Sequence, residues 1–215
     1  MKVSPPAPPL SDGTVTLRPL TPGDVPEVTL ACRDPEIVRW TTQIPEDYTE
    51  EHARVWIEST SAGWAKGNAE FAITETQTSA LAGAIGLFAR ESWVAEIGYW
   101  MAAPFRNRGL ATRALALVSD WGDSLGFVRL QLMMLPGNEA SARIATKAGF
   151  NEEGLLRAYV KQRGSIKDVV MWSRVKQQCR EEAVVWASVR QCHPAEGKAS
   201  RGITKTLPSV FAAFT

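Results

Sequence analysis

The sequence predicts an α/β (α+β) domain in which a mostly antiparallel sheet of six to seven strands is flanked by helices. Three observations predict it. Residues 69–74, 81–89 and 93–101 are strand-like runs separated by short glycine-rich or polar turns, the pattern of an antiparallel meander. A helical period follows, with Leu110, Ala114, Leu117, Val118 and Trp121 on one face. Strand-like and helix-like stretches then alternate as far as residue 175.

Taken from the N-terminus, residues 1–12 are Pro-rich and are expected as a flexible lead-in. Residues 14–20 (TVTLRPL) alternate apolar or β-branched with polar side chains, a strand signal. The turn TPGD (21–24) feeds a helix to about Cys32, and a second short helix is expected over 35–40. Thr49 followed by Glu50 and Glu51 is a helix start, a cap with acids at the positive end of the dipole. Ala53, Trp56, Ile57, Thr60 and Trp64 then share a face. After the meander, Gly126 ends the next helix, 127–135 reads as a buried strand and 138–148 as a helix. Gly149-Phe150 suits its C-terminus: glycine in the left-handed conformation, then an apolar residue folding back. Strands are expected over 150–155 and 168–175. These elements make 13–175 the domain and 176–215 an extension, partly helical (about 178–190) or disordered.

Length and composition narrow the function classes. The chain has 215 residues, 45% apolar and 22% charged, with a net charge of +1 and no basic block. A single soluble domain with no nucleic-acid partner is expected. No apolar run approaches the ~18–20 residues a bilayer span needs, and the N-terminus lacks a signal-peptide core. Cys32, Cys179 and Cys192 form an odd, widely spaced set, and the histidines are His52 and His193, so no metal site is expected. A reduced, cytoplasmic setting with no membrane partner fits this usage.

The most informative segment is AEIGYWMAAPFRNRGLAT (95–112): a strand, a short basic loop with a glycine, then a helix. The first turn of any helix presents unpaired N–H groups at the positive end of its dipole, so an anion is expected there. Arg106 and Arg108 add charge, and Gly109 lets a phosphate approach the backbone. The spacing is neither a P-loop nor a dinucleotide fingerprint. On residues alone, a phosphate site and an ordinary turn with two solvated arginines stand level.

RNRGLA (106–111) resembles the [RQ]-x-x-G-x-[GA] element of the GNAT N-acetyltransferase superfamily. EIGYWM (96–101) is similar to its pantetheine-side strand. NEASARIATKAGF (138–150) and EGLLR (153–157) resemble the RimJ/RimL-like branch, the ribosomal-protein N-terminal acetyltransferases and their kin. The resemblance covers about 14–175. It implies a mixed sheet splayed between 93–101 and 127–135, with acetyl-CoA as co-substrate and no metal. Backbone amides over Arg108, Gly109, Leu110, Ala111 and Thr112 would hold the pyrophosphate, with Arg106 and Arg108 providing side-chain charge and Asn107 beside them. Trp100 and Met101 would run along the pantetheine, and Asn138 and Arg143 would contact the coenzyme.

The resemblance implies direct attack of a neutral amine on the thioester, so no covalent intermediate is needed. Glu96 is the candidate base and Ser141 the candidate acid for the departing thiolate; the bland readings are a strand-edge carboxylate and a first-turn serine. Asn138 reads equally as a helix cap. Trp40, Tyr48, Trp93 and Tyr159 are candidates for the acceptor groove, shaped by 38–48 and 157–167, although tryptophans are more often core. One departure stands out: relatives of this branch carry a glutamate near the position of Val160, which cannot take a proton. An α-amine, about a tenth neutral at pH 7, needs less help than a lysine, neutral about once in several thousand. The expected activity is acetylation of a protein or peptide α-amine by a monomer or homodimer. The alternatives are a small amine such as an antibiotic or polyamine, and a non-catalytic acyl-CoA-binding sensor or scaffold.

Overall fold

Alternating burial along the strands and one apolar stripe on each long helix assemble into a single mixed sheet covered on both faces. In the computed structural model, which describes residues 3–176, the elements in order are β1 (Leu10–Ser11), β2 (Val15–Pro19), α1 (Val25–Cys32), α2 (Pro35–Trp40), α3 (Glu50–Trp64), β3 (Asn68–Glu75), β4 (Leu81–Ala89) and β5 (Val94–Met101), followed by α4 (Leu110–Ser124), β6 (Arg129–Met134), α5 (Glu139–Lys147), β7 (Asn151–Gln162) and β8 (Ser165–Val175). The sheet order is β1-β2-β3-β4-β5-β6-β8-β7, antiparallel throughout except for the parallel pair β5–β6, whose crossover is α4. Among the described residues no helix is long and apolar enough to cross a membrane.

Eight strands replace the six to seven expected. The addition is β1, whose Leu10 pairs with Leu17 and Ser11 with Thr16. Part of the expected flexible lead-in is therefore built into the sheet edge, and Val3 is buried with its N–H donated to the Trp64 carbonyl. The final strands are also longer than expected, so most of the loop expected over 157–167 is a hairpin. Its turn, Arg163-Gly164, has positive φ at both residues (43° and 81°), the geometry that follows the twist of paired strands. The helix expected near 178–190 lies outside the described residues.

The two faces of the sheet have different covers. Phe71, Ile73, Ile85, Leu87, Ala95 and Ile97 pack against Leu115 and Val118 of α4 in the main core. Ala72, on the opposite face, packs with Val28 of α1 and Ala53 and Ile57 of α3. The helix ends follow from local chemistry. Thr49 Oγ1 accepts from the His52 N–H and caps α3. Gly149 (φ 83°) ends α5 as the Phe150 N–H reaches back to the Ala145 carbonyl.

Candidate functional site

β5 and β6 pair only at Val94–Arg129, Ala95–Leu130 and Glu96–Gln131, and then part. This is the splay that the resemblance implied. Between the diverging strands lies a cleft of about 1010 Å³, lined on one side by Ile97 to Met101 and on the other by Leu132 to Leu135. Peptide groups of β5 that would have faced a neighbouring strand border this gap, an edge able to take an extended, amide-bearing chain.

One end of the cleft is closed by the start of α4. Its N-cap is Gly109, with φ 77° and no side-chain cap, and the first N–H with a helical partner is that of Arg113, donated to the Gly109 carbonyl. The N–H groups of Leu110, Ala111 and Thr112, all in the cleft wall, are thus left to an external acceptor. A Cβ built on Gly109 would meet nothing within 4 Å, so the space in front of the helix is open. Asn107 is also left-handed (φ 59°), and such turns gather N–H groups into an anion-binding concavity.

The arginines of this loop are committed elsewhere. Arg106 donates from Nε to the Met101 carbonyl (3.1 Å) and from Nη2 to Asp34 (2.6 Å), tying the end of β5 to the start of α2. Arg108 is turned to Glu75 and lies 5.4 Å from the centre of the Phe105 ring, outside the cleft lining. The donors for an anion here are the backbone groups, with Arg106 lining the wall.

Across the fork, α5 brings Asn138, Ser141 and Arg143 to the cleft. Asn138 Oδ1 accepts from the Ser141 N–H at 3.1 Å, which is the cap reading of that residue. Arg143 is exposed and 3.9 Å from Glu139 on its own helix. Tyr99, which sequence reasoning missed, points its hydroxyl into the same region. Burial lifts the Tyr99 phenol to about 12, the nearby Ser141 hydroxyl working against the rise, and the Tyr99 hydroxyl makes no hydrogen bond within the protein. Tyr99 of β5 and Ser141 of α5 thus both line the cleft where the strands part. Met133 and Met134, in a strand that reads as buried packing, also line the cleft.

The structure does not bring Glu96 to the cleft. It occupies the last paired row of β5, only 3% exposed, where Arg90 donates to both its carboxylate oxygens (3.2 and 3.3 Å) and Gln131 Nε2 approaches at 3.4 Å. It is the carboxylate of a buried ion pair. The buried carboxylate that does line the cleft is Glu70 of β3, 6% exposed, accepting one hydrogen bond from Trp56 Nε1 at 2.8 Å, whereas Glu36 lines it as an exposed group. Burial pushes its carboxyl up to about 7, the Trp56 bond working against the rise. The sequence signal was there: a single carboxylate inside the apolar run AEFAIT.

Beyond Glu70 the cleft wall is aromatic. Trp56 and Trp100 lie 6.5 Å apart, Tyr48 is buried behind His52 at 5.6 Å, and Trp40 is held by Glu36, which accepts from its Nε1 at 3.1 Å. The segment after α2 is fastened from the β7–β8 hairpin: buried Gln162 donates to the carbonyls of Arg39 (3.0 Å) and Thr41 (2.8 Å). Trp40 and Tyr48 are thus at the cleft, whereas Trp93 (55% exposed) and Tyr159 (42%) lie outside its lining. Both belong to surface turns or strand edges whose exposure a sequence cannot reveal. Val160 does line the cleft, in the bulged part of β7 beside Ala158, whose N–H is donated to Asp168. Cys32 is also in the wall, but burial lifts its thiol to about 12, which keeps it from acting as a nucleophile.

Comparison with known proteins gives concordant matches. Residues 14–151 match the family model of the acetyltransferase (GNAT) domain. The chain is 30% identical over 169 residues to the uncharacterized N-acetyltransferase p20 of Bacillus licheniformis, covering 76% of this chain and 94% of that protein. Among solved structures it resembles the microcin C7 self-immunity acetyltransferase MccE in complex with acetyl-CoA and AMP (TM-score 0.69, 21% identity, 78% of this chain and 94% of that one). It equally resembles RimL, the ribosomal L7/L12 α-N-protein acetyltransferase, in complex with coenzyme A (TM-score 0.68, 21% identity, 78% and 96%). The match over most of the folded domain, together with a forked sheet opening beside an uncapped helix start, means that this chain belongs to the GNAT acetyltransferase family and is an acyltransferase.

Proposed function

We propose that the protein transfers the acetyl group of acetyl-CoA to the α-amine of a peptide or protein N-terminus. The observation that carries the reading is one continuous cleft. It runs from the unpaired N–H groups after Gly109, along the open edge of β5, to an aromatic chamber containing Glu70. The residues present fit the co-substrate: an anion-seeking end for the diphosphate, an unpaired strand edge for the pantetheine amides, and the Tyr99 and Ser141 hydroxyls near the fork for the sulfur.

In this reading the amine nitrogen attacks the thioester carbonyl carbon and the carbon–sulfur bond breaks. The oxygen's developing charge is met by free amides of β5. The departing sulfur receives a proton from the hydroxyls that line the fork, those of Tyr99 and Ser141, and no enzyme nucleophile takes part. RimL, which shares the fold, acts on a protein α-amine, and that supports the same acceptor class here. An α-amine also asks the least of the base, since about a tenth of it is neutral at pH 7.

Thiol release from acetyl-CoA with a panel of acceptors tests this. Peptides with a free N-terminus are expected to turn over and gain one acetyl group at the α-nitrogen by mass spectrometry. N-terminally blocked peptides carrying lysine, and polyamines, are expected to remain unmodified. Turnover confined to small amines would replace the proposed acceptor, and coenzyme binding without any turnover would make the chain a sensor.

A further inference from the structure

We infer that Glu70 is the base that takes the acceptor's ammonium proton, that Trp56 is the residue positioning its carboxylate, and that the acceptor enters from the sheet face covered by α1 and α3. This rests on the acetyltransferase reading above and names the group that the sequence leaves without a candidate once Glu96 is found in an ion pair.

The argument begins with the register. Glu70 on β3 pairs with Gly86 on β4, which pairs with Gly98 on β5, so the three residues form one row on one face of the sheet. Gly98 is in the cleft wall just past the last residue of β5 that pairs with β6, the stretch along which the thioester would lie. A side chain there would stand between Glu70 and the fork. The distance from β3 to β5 is about 10 Å, two strand spacings, which a glutamate and an amine, or one water, can span together. At Gly86 a Cβ would fall 2.4 Å from Phe88 Cζ and 3.4 Å from Glu70 Cγ. The Phe88 ring therefore lies over Gly86, in the middle of this row, so the way from Glu70 to the fork passes over the ring rather than straight across the sheet. Trp56 from α3 closes one side of the glutamate and supplies its hydrogen bond.

A carboxylate has about four acceptor positions. In Glu70 one is met by the protein and the group is otherwise buried at the cleft, an environment that favours accepting a proton. The charged groups around it are otherwise engaged or distant. Arg90 and Glu96, one row along, bond to each other, and His52 of α3 bonds to Thr49. Lys66, after α3, and Glu36, of α2, are exposed at the cleft mouth. Burial and the Trp56 bond alone account for the position of the carboxyl near 7, where it is half ionised at neutral pH. A base tuned to that range is the effective one for an amine reacting near pH 7.

The test is the pH dependence of kcat for acetylation of a free-N-terminus peptide, with acetyl-CoA affinity measured alongside by calorimetry. The wild-type protein is expected to show an acidic limb near pH 7. Glu70→Gln is expected to lose 10²–10⁴-fold at pH 7 and to lose the limb, while binding acetyl-CoA as before. Trp56→Phe is expected to stay active with its limb displaced to higher pH, a shift that a merely structural role would not produce. Glu96→Gln is expected to keep the wild-type limb. Glu70→Gln activity within a few-fold of wild type, an unmoved limb in Trp56→Phe, or loss of the limb in Glu96→Gln would each overturn the assignment. A wild-type protein that binds acetyl-CoA but acetylates no amine would instead defeat the reading on which it rests.

Discussion

At the Gly109 end of the cleft, recognition is built from backbone: an uncapped helix start, left-handed turns at Asn107 and Gly109, and a strand edge without a partner. At the opposite end it is built from side chains on separate elements: Trp40 of α2, Trp56 of α3, Glu70 of β3 and Trp100 of β5. The first end needs only local geometry and, in the proposed function, serves a co-substrate that never changes. The second depends on how distant elements are packed, so it can be altered by single substitutions without disturbing the first. Affinity for acetyl-CoA and choice of acceptor are therefore expected to vary independently.

Substitutions at the two ends break or sharpen this contrast. The largest effect is expected from Gly109→Glu, which adds a negative group to the open space before α4 and strains a left-handed residue. Acetyl-CoA affinity should fall more than 100-fold by calorimetry with the fold retained. Next, Tyr99→Phe and Ser141→Ala should each lower kcat about 10- to 100-fold with little change in acetyl-CoA affinity. Because both hydroxyls serve the same proton transfer in the proposed mechanism, the double variant should be hardly slower than either single one.

A third effect is on stability and runs opposite to activity. Burial raises the Glu70 carboxyl from 4.5 to about 7, so the folded state holds that proton more tightly than the unfolded chain. Its contribution is complete below about pH 4.5 and is lost as pH rises to 7. Ionising the buried group then costs on the order of 3 kcal/mol. Glu70→Gln should therefore melt several degrees above wild type at pH 8 and level with it near pH 4, as thermal denaturation would record. The smallest effect is expected from Arg108→Ala. Its side chain faces Glu75, so acetyl-CoA affinity should change only a few-fold, whereas Arg106→Ala, which frees Asp34 and the Met101 carbonyl, should destabilise the fold by about 1–3 kcal/mol.

The same contrast explains what was legible in the sequence. RNRGLA, the Gly149-Phe150 stop and the Thr49 cap are local signals, written in neighbouring residues, and the structure carries each of them. The meander and the helix that follows it were legible because their periods are long and clean. The edge strand Leu10–Ser11 was not, because two residues among prolines have no period and pair only through β2. The carboxylates show the limit most clearly. Glu96 and Glu70 lie on the same sheet face, and a lone carboxylate in an apolar strand run marks both of them. Glu96 is met by Arg90 and Gln131 from neighbouring segments, while Glu70 meets Trp56, fourteen positions away on α3. Which of the two reaches the cleft is decided by where β5 and β6 stop pairing, a property of the assembled sheet. Trp93 and Tyr159 failed as groove candidates for the same reason, and Trp56 was hidden among eight tryptophans as part of a helix face.

The claim on which all this stands is that backbone donors at the start of α4 hold the diphosphate of the co-substrate. Calorimetric titration of the full chain with acetyl-CoA and, in parallel, with S-acetylpantetheine, which has the same acyl arm but no diphosphate, tests it most directly. Acetyl-CoA should bind at least about 100-fold more tightly, and Gly109→Glu should remove that advantage by weakening acetyl-CoA alone. Equal affinity for the two ligands, or a Gly109→Glu protein that keeps the difference, would contradict it.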